Sequence, residues 1–316
     1  MHPAYSVILF TTASGAGYGL LALLGISAAM DLGLPQTAWF GFTALALSLG
    51  LITIGLLSST FHLGHPERAW RAFSQWRSSW LSREGVAAVL TYLPAGLFGL
   101  LWVVFGEFGL PWKLTGLLSA LGAIATVWCT GMIYGCLTTI RQWHHPLVAP
   151  VYLILAAATG SVLFALLMQL FGAFEPWQGW VATLGLAIAA IIKLVYWRSI
   201  DAAPRDLTIG DATGLGAIGE VRQLDAPHTQ SNFIQREMGY RVARKHAIKL
   251  RWISVAGGLG SSLTASSLAL ATGGGAATAL LTLAASAAAV GVILERWLFF
   301  AEAEHAVNLF YGRSGA

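Results

Sequence analysis

Charged residues are confined to a few short stretches of an otherwise apolar chain. Between them lie eight hydrophobic runs, at residues 5–30, 38–61, 86–106, 114–140, 147–172, 178–197, 252–272 and 275–294. A helix of about 20 apolar residues crosses a hydrocarbon layer of roughly 30 Å. Only 10 % of the residues are charged, against about 25 % in soluble domains. The sequence therefore predicts an all-α, polytopic integral membrane protein with eight transmembrane helices.

The basic residues predict the orientation of these helices. The chain has 18 Lys and Arg, and all but Lys113 fall at the helix ends or connections of one face, here called the basic face. Its connections are 62–85, 141–146 and 198–251. Because cytoplasmic loops carry the excess of Lys and Arg, we expect the basic face and both termini to be cytoplasmic, in a bacterial inner membrane. The first run is expected to stay in the protein, since no basic signal-peptide region precedes it.

The domain organisation follows from this topology. We expect residues 1–316 to form a single eight-helix membrane domain, and the long loop 198–251 to dock a partner protein. Within the loop, residues 232–251 have the pattern of an amphipathic helix rich in Arg and Lys. Such a helix can also lie in solvent or on the lipid surface, and the sequence leaves both interpretations open.

Ionisable residues are nearly absent from the middle of the predicted spans. Lys193, Glu295 and Arg296 lie near the basic ends, and we expect them to reach the lipid headgroups by snorkelling. Ion-coupled transporters usually need polar residues deep in the membrane. The pattern therefore argues against a transporter, which remains an alternative of another class.

Histidine and cysteine give no support for a metal cofactor of the chain's own. The histidines all lie on the basic face or at its edge, whereas a transmembrane haem needs paired axial histidines inside the bilayer. The two cysteines do not form an iron–sulfur ligand set. We expect no metal or haem in this chain, although a haem b held at the basic edge stays open as an alternative.

One connection on the basic face joins proton-exchanging residues to an apolar surface. His62 closes the second span, just after its apolar run, and Glu84 opens the third, just before its run, and a short connection brings the two helix ends together. A quinone needs an apolar slot for its ring and groups that exchange protons with its carbonyl oxygens, and histidine titrates near neutrality. The residues make a quinone site one candidate. A structural role stays open, because His62 can be an ordinary interface residue and Glu84 a partner of the helix dipole.

The motif of this connection resembles a known family. The run HLGHPERAWRAF at 62–73, followed by LSRE at 81–84, is similar to the signature loop of the dimethyl sulfoxide reductase membrane-anchor family. The segment ERWLFF at 295–300 and the eight spans also resemble that family. The resemblance covers the whole chain, and the loop motif is its most specific part.

The resemblance implies an anchor subunit with no catalytic residue of its own. Such an anchor binds ubiquinone or menaquinone and holds a four-cluster iron–sulfur subunit and a molybdopterin catalytic subunit. The loop histidine and the following glutamate of the family, which handle the quinone, correspond here to His62 and Glu84. The further candidates for the quinone site are His65, Arg68, Arg71, Arg83 and Arg296.

Two departures from the family pattern refine the expectation. His65 stands where the family often has a small residue, and the signature loop lies on the face predicted to be cytoplasmic. The second feature resembles the sulfite dehydrogenase branch, which passes electrons from cytoplasmic sulfite to quinone. The alternative is an anchor of a dimethyl sulfoxide-type reductase that oxidises menaquinol. The direction of electron flow, the quinone type and any part played by His144, His145 or His305 stay open.

Overall fold

The computed structural model describes residues 4–60, 63–204, 207–225, 230 and 242–311, without the side chains of 242–245. His62 and residues 232–241 of the expected amphipathic helix lie outside the described residues. The positions of their side chains therefore stay predictions.

The predicted all-α fold with eight spans is confirmed, since eight described helices are long and apolar enough to cross a membrane. The first four are α1 (Tyr5–Ala29), α2 (Ala38–Thr60), α3 (Trp80–Gly99, continued by the π-helical turn Leu100–Phe105) and α4 (Leu110–Gly135). The last four are α5 (Val148–Leu170), α6 (Pro176–Ala202), α7 (Val242–Trp252, continued by π-helical Ile253–Gly260 and by Ser261–Leu270) and α8 (Gly274–Ala301).

Several helices extend beyond the apolar runs at the basic face. α3 begins at Trp80 rather than at residue 86, and α8 continues to Ala301 rather than to residue 294. The predicted loop 198–251 is also shorter, because its first residues belong to α6 and its last residues to α7. Charged residues in these helical extensions are accommodated by packing and ion pairing, which a search for apolar runs does not detect.

The eight helices form two units with a similar pattern of neighbours, except that α6 packs against α7 whereas α2 and α3 make few contacts. In the first unit α1 packs against α2 and α4, and α3 packs against α4. In the second unit α5 packs against α6 and α8, and α7 packs against α8. α1 and α5 pack against each other, α4 also contacts α5, and α8 also contacts α1. Helices α1, α4, α5 and α8 therefore enclose the middle of the molecule.

Small residues allow the central helices to approach closely. A Cβ atom on Gly19 of α1 would clash with the backbone of Ala156 in α5, and one on Gly160 would clash with the backbone of Gly19. Lipid tails provide no hydrophobic drive for helix association, so close van der Waals packing of this kind holds membrane helices together. The crossing of α1 and α5 fixes the central frame on which the polar side chains are arranged.

The connections of the basic face are tied to the helix ends. A 3₁₀ helix at Pro66–Gln75 links α2 to α3 and packs against α3. A second 3₁₀ helix lies after α8, at Ala306–Tyr311. The backbone nitrogen of Ala306 donates to the carbonyl oxygen of Thr139 at 3.1 Å, which ties this segment to the α4–α5 connection.

Candidate functional site

Glu84 is a buried carboxyl group near the start of α3. It is only 5 % exposed, and its Oε1 has no hydrogen-bond partner among the described residues. Thr130 of α4 lies beside it. The residue before the helix is Ser79, so Glu84 lies beyond the first helical turn, which contains no acidic residue. A role as a helix-dipole partner, which acts within the first turn, does not account for its position.

Ser82, at the same helix start, also has unused hydrogen-bonding capacity. It is 2 % exposed, and its hydroxyl has no partner among the described residues. The buried Tyr18 side chain of α1 lies within electrostatic range of Glu84 and beside Thr126 of α4. Buried polar groups are normally hydrogen-bonded. The start of α3 therefore carries two buried polar side chains, Glu84 and Ser82, that can serve a ligand or water.

Arg83, the neighbour of Glu84, is engaged elsewhere. Its Nε donates to the carbonyl oxygen of Trp76 at 3.0 Å, and its Nη2 donates to that of Arg77 at 2.7 Å. The guanidinium lies 4.3 Å from the ring centre of Trp80. Arg83 therefore clamps the end of the α2–α3 connection onto the start of α3.

The 3₁₀ helix places its charged residues outward, and none of its residues is buried. His65 Nδ1 lies 3.0 Å from a carboxylate oxygen of Glu67, and Arg68 Nε lies 3.8 Å from the same oxygen. Arg71 lies over the ring of Trp70 at 5.7 Å. The structure thus does not bring His65, Arg68 and Arg71 together with Glu84.

Phe73 is the residue through which this 3₁₀ helix covers the start of α3. A Cβ atom on Gly85, next to Glu84, would lie 3.1 Å from the Phe73 ring. Gly85 therefore lets the aromatic ring pack closely over the helix. The connection forms a cover beside Glu84, and its basic residues remain available on the outer surface.

Arg296 belongs to a buried ion cluster, which we define as Lys193, Glu295 and Arg296. Lys193 Nζ lies 2.5 Å from Glu295 Oε1, and Arg296 Nε lies 3.0 Å from Glu295 Oε2. All three residues are at most 1 % exposed. The Arg296 guanidinium lies 3.7 Å from the ring centre of Tyr152 in α5.

The expectation that these three residues snorkel is therefore wrong. Lys193 lies nine residues before the end of α6 at Ala202, about 13 Å inside the helix end at 1.5 Å per residue. The rings of Tyr196 and Trp197 close over its ammonium group at 4.0 and 4.8 Å. Arg296 stacks on Tyr152 of α5, and Tyr134 of α4 lies within electrostatic range of both Arg296 and Glu84.

A second ion cluster lies closer to the basic face. Arg251 of α7 contacts Asp201 at 2.5 Å and Glu302 at 2.9 Å. With Arg141, Gln142 and other residues they line a polar pocket of about 220 Å³, here called the polar pocket. Burial raises the pKa of Glu302, and its ion pair with Arg251 opposes that shift. Sequence reasoning missed this cluster, because its members are some 50 to 100 positions apart in the chain.

The histidines of the other connections hold the backbone in place. His144 Nδ1 lies 3.0 Å from the carbonyl oxygen of Gly135, and His145 Nε2 lies 2.9 Å from the Ser199 hydroxyl. The nitrogen of Val307 donates to His305 Nδ1 at 3.0 Å. Burial lowers the pKa of His145, and the charge of Lys193 lowers it further. These contacts assign the three histidines to the bracing of connections.

Comparison with known proteins agrees with this architecture. Residues 1–206 match the family model described as DMSO reductase anchor subunit (DmsC). The chain is also 34 % identical to a sulfite dehydrogenase subunit of Allochromatium vinosum, over 98 % of this chain and 99 % of the relative. The family match includes α3 with Glu84, and the relative extends over the buried ion cluster as well. The chain belongs to the DMSO reductase anchor subunit family and is a multi-pass membrane anchor subunit of a complex of that type.

Proposed function

We propose that this chain is the quinone-reactive anchor of a molybdoenzyme complex that oxidises sulfite. It would pass electrons from an iron–sulfur partner subunit to ubiquinone or menaquinone in the membrane. Family membership supports the role of an anchor, and the similarity to a subunit of a sulfite dehydrogenase supports sulfite as the substrate of the catalytic partner. The observation that carries the quinone site is the buried Glu84 carboxyl with an unpartnered oxygen.

The residues around Glu84 fit a quinone headgroup. Reduction of a quinone to a quinol consumes two electrons and two protons, and forms two O–H bonds. Burial makes the charged form of a carboxyl costly unless a cation compensates, so Glu84 is suited to hold a proton and release it to a ligand oxygen. The Ser82 hydroxyl is a second hydrogen-bonding group at the same helix start. His62, the other expected partner, would complete the site from the end of α2.

An apolar groove leads from the lipid toward this region. α2 and α3 make few contacts with each other, and a groove of about 450 Å³ opens between them. It is lined mostly by apolar side chains and includes Thr53, whose hydroxyl lies 2.6 Å from that of Tyr92. Tyr92 is two helical turns from Glu84 on the same helix. The groove is suited to the isoprenoid tail of a quinone, with the headgroup at the basic end.

The exposed surface of the α2–α3 connection is suited to docking the iron–sulfur partner. Trp70 is 66 % exposed and Trp76 is 52 % exposed, and each lies next to an arginine, Arg71 and Arg77 respectively. Trp and Arg are enriched at protein–protein interfaces. A partner bound here would place its cluster above the start of α3, which keeps the electron path to the quinone short.

The quinone site is tested by two substitutions in the intact complex, His62→Ala and Glu84→Gln. We expect each to reduce quinone-linked turnover by about 100-fold or more, because a positioned proton-exchanging group contributes 10²–10⁴ in rate. The activity of the catalytic partner with a soluble dye should remain. His144→Ala is the matched control, since His144 bonds the backbone of Gly135, and it should keep both activities. Equal loss of both activities in the two site variants, or unchanged quinone turnover, contradicts the proposal.

The orientation and the direction of electron flow require their own measurement. We propose that both termini and the basic face are cytoplasmic, in a bacterial inner membrane, so that sulfite is oxidised in the cytoplasm. A reporter fused to the C-terminus should be active only if it is a type that works in the cytoplasm. Membranes should reduce quinone when sulfite is supplied on the cytoplasmic side. An external reporter signal would reverse the placement of the partners. Sulfoxide-dependent oxidation of menaquinol would instead favour a reductase.

A further inference from the structure

A groove of about 520 Å³ lies between the basic ends of α6 and α7. It shares Asp201 and Arg251 with the polar pocket, and its other lining residues are different. One part of the lining is apolar and includes Leu194 and Ile248, which are 43 % and 73 % exposed. The other part is charged and includes Arg198. The groove therefore offers both an apolar surface and cations to a molecule that enters it.

Two tryptophans place this groove at the boundary between the membrane and the basic face. The apolar run of α6 ends at Trp197 and that of α7 begins at Trp252, and both side chains line the groove. Tryptophan concentrates at the level of the lipid headgroups. Leu194 lies one turn of α6 further into the membrane than Arg198. A molecule in the groove thus meets apolar side chains at its membrane end and Arg198 at the headgroup level.

Arg198 is the cation of the groove that the protein does not neutralise. It is exposed, and its side chain has no ion pair or hydrogen bond among the described residues. Asp201 lies one turn further along α6, but Arg251 bonds both of its carboxylate oxygens, at 2.5 and 3.1 Å. Arg251 is also bonded to Glu302 and lies over the Trp197 ring. Of the two arginines in the lining, Arg198 is the one available to an anion.

The start of α7 adds positive charge beside the groove. His246 and Lys249 are exposed on the same helix turns as Ile248. Basic residues next to a membrane span attract the phosphates of anionic lipids, and basic pockets between spans bind their headgroups. A zwitterionic headgroup brings its own cation, which Arg198 and Lys249 repel. The charges therefore favour a lipid with net negative charge.

We propose that the groove between α6 and α7 binds one anionic phospholipid through its phosphodiester group. Arg198 donates to the phosphate oxygens, since a guanidinium matches the geometry of a phosphate. An acyl chain lies along Leu194 and the glycerol backbone lies against Trp252. A free phosphate ion would use Arg198 but leave the exposed apolar lining without an occupant, whereas a phospholipid covers both. This site is separate from the proposed quinone site and does not depend on it.

The test is the effect of lipid on the Tm of the complex, purified in detergent without added lipid. A ligand that binds the folded state raises the Tm, so phosphatidylglycerol should raise the wild-type value by a few degrees more than phosphatidylcholine with the same acyl chains. Arg198→Gln should need about fivefold more phosphatidylglycerol for the same rise, as expected for the loss of one basic residue at an anionic lipid. Without lipid its Tm should equal that of wild type. Arg198→Lys keeps the charge and should retain most of the response.

Lys249→Gln is the matched control. It removes one positive charge from the same face, but Lys249 does not line the groove, so the response to phosphatidylglycerol should stay at the wild-type level. Inorganic phosphate and glycerophosphoglycerol, which lack acyl chains, should not raise the Tm at the same concentrations. A rise of the wild-type size with either compound would assign a phosphate site without a lipid and overturn the proposal.

Two further outcomes decide the matter. If Arg198→Gln responds to phosphatidylglycerol as wild type does, the lipid acts elsewhere and the proposal fails. An electron cryo-microscopy map of the complex with this lipid should show headgroup density within hydrogen-bonding distance of the Arg198 guanidinium and an acyl chain against Leu194. A partner subunit or a quinone seated in the groove would contradict it. None of these results bears on the quinone site, which Glu84→Gln tests separately.

Discussion

Glu84 and Glu295 are two buried carboxylates with opposite surroundings. Glu295 is 0 % exposed and lies between two cations, Lys193 and Arg296. Glu84 is 5 % exposed, and the arginine next to it is turned toward the backbone of the connection. A paired carboxylate stays charged and holds helices together, whereas a carboxyl without a cation can exchange a proton. The comparison teaches that burial alone does not indicate function; the partner of the buried group decides what it can do.

The largest effect on stability is expected at Glu295. Glu295→Gln leaves Lys193 and Arg296 as unpaired buried cations, which costs about 3–5 kcal/mol. Glu84→Gln removes no cation partner and should change the free energy of unfolding by less than about 1 kcal/mol. The two variants are compared by thermal unfolding of the purified complex, with subunit dissociation as the readout.

Lys193→Met is the control for this comparison. It should cost less than Glu295→Gln, since Arg296 stays bonded to Glu295 at 3.0 Å. If Glu84→Gln destabilises the protein as much as Glu295→Gln does, Glu84 has a structural partner and the contrast between the two carboxylates fails.

Arg251→Gln tests whether the second ion cluster behaves like the first. Arg251 joins α7 to Asp201 of α6 and to Glu302 after α8. Because the Arg251 side chain is only 16 % exposed, losing hydrogen bonds to charged groups should cost roughly 2–3 kcal/mol. Hydrogen exchange should rise first at residues 242–252. Arg198→Gln, an exposed change on the same helix as Asp201, should leave exchange and stability unchanged.

The sequence predicted the number of spans because apolar length is a local property. A run such as 38–61 reveals α2 by itself, and the structure places that helix at Ala38–Thr60. The start of α3 was predicted too late, because Arg83 and Glu84 interrupt the apolar pattern. Their charges are tolerated in the helix by the clamp to Trp76 and by contacts with α4, and neither contact can be read from neighbouring residues.

The candidate site was predicted in part. Glu84 was identified from its place in the motif, but the outward orientation of Arg68 and Arg71 depends on the 3₁₀ geometry of the connection. The sequence around the buried ion cluster contains a local pattern that indicates burial of its cations. Lys193 precedes aromatic residues at positions i+3 and i+4, and Arg296 precedes Phe299 and Phe300 in the same way. Residues at this spacing share a helix face, so a cation there can be covered by aromatic rings and need not snorkel.

Arg83→Gln tests whether the arginine next to Glu84 holds the α2–α3 connection in place. The change removes two donors to the carbonyl oxygens of Trp76 and Arg77, with an expected cost of about 1–2 kcal/mol. The connection should become more accessible to protease, while the helices of the second unit keep their protection. Arg77→Gln is the control, because it leaves both donors in place. Unchanged proteolysis in Arg83→Gln would show that the connection is held by Phe73 alone.

The smallest expected effect concerns His145, whose pKa is lowered by burial and then by the charge of Lys193. The folded protein favours the neutral ring, so as the pH falls below the ordinary value of 6.5, the unfolded chain gains a proton that the folded chain resists. This penalty is absent above that pH and grows below it. His145→Gln should therefore make the loss of Tm between about pH 7 and pH 5 slightly shallower. Lys193→Met should also make this loss of Tm shallower, because it removes one cause of the lowered His145 pKa. It should not alter the contribution of His305 to the pH dependence of Tm, since burial alone lowers the His305 pKa. An identical Tm profile in wild type and in His145→Gln would mean that His145 binds its proton equally well in the folded and unfolded chains, which contradicts the lowered pKa.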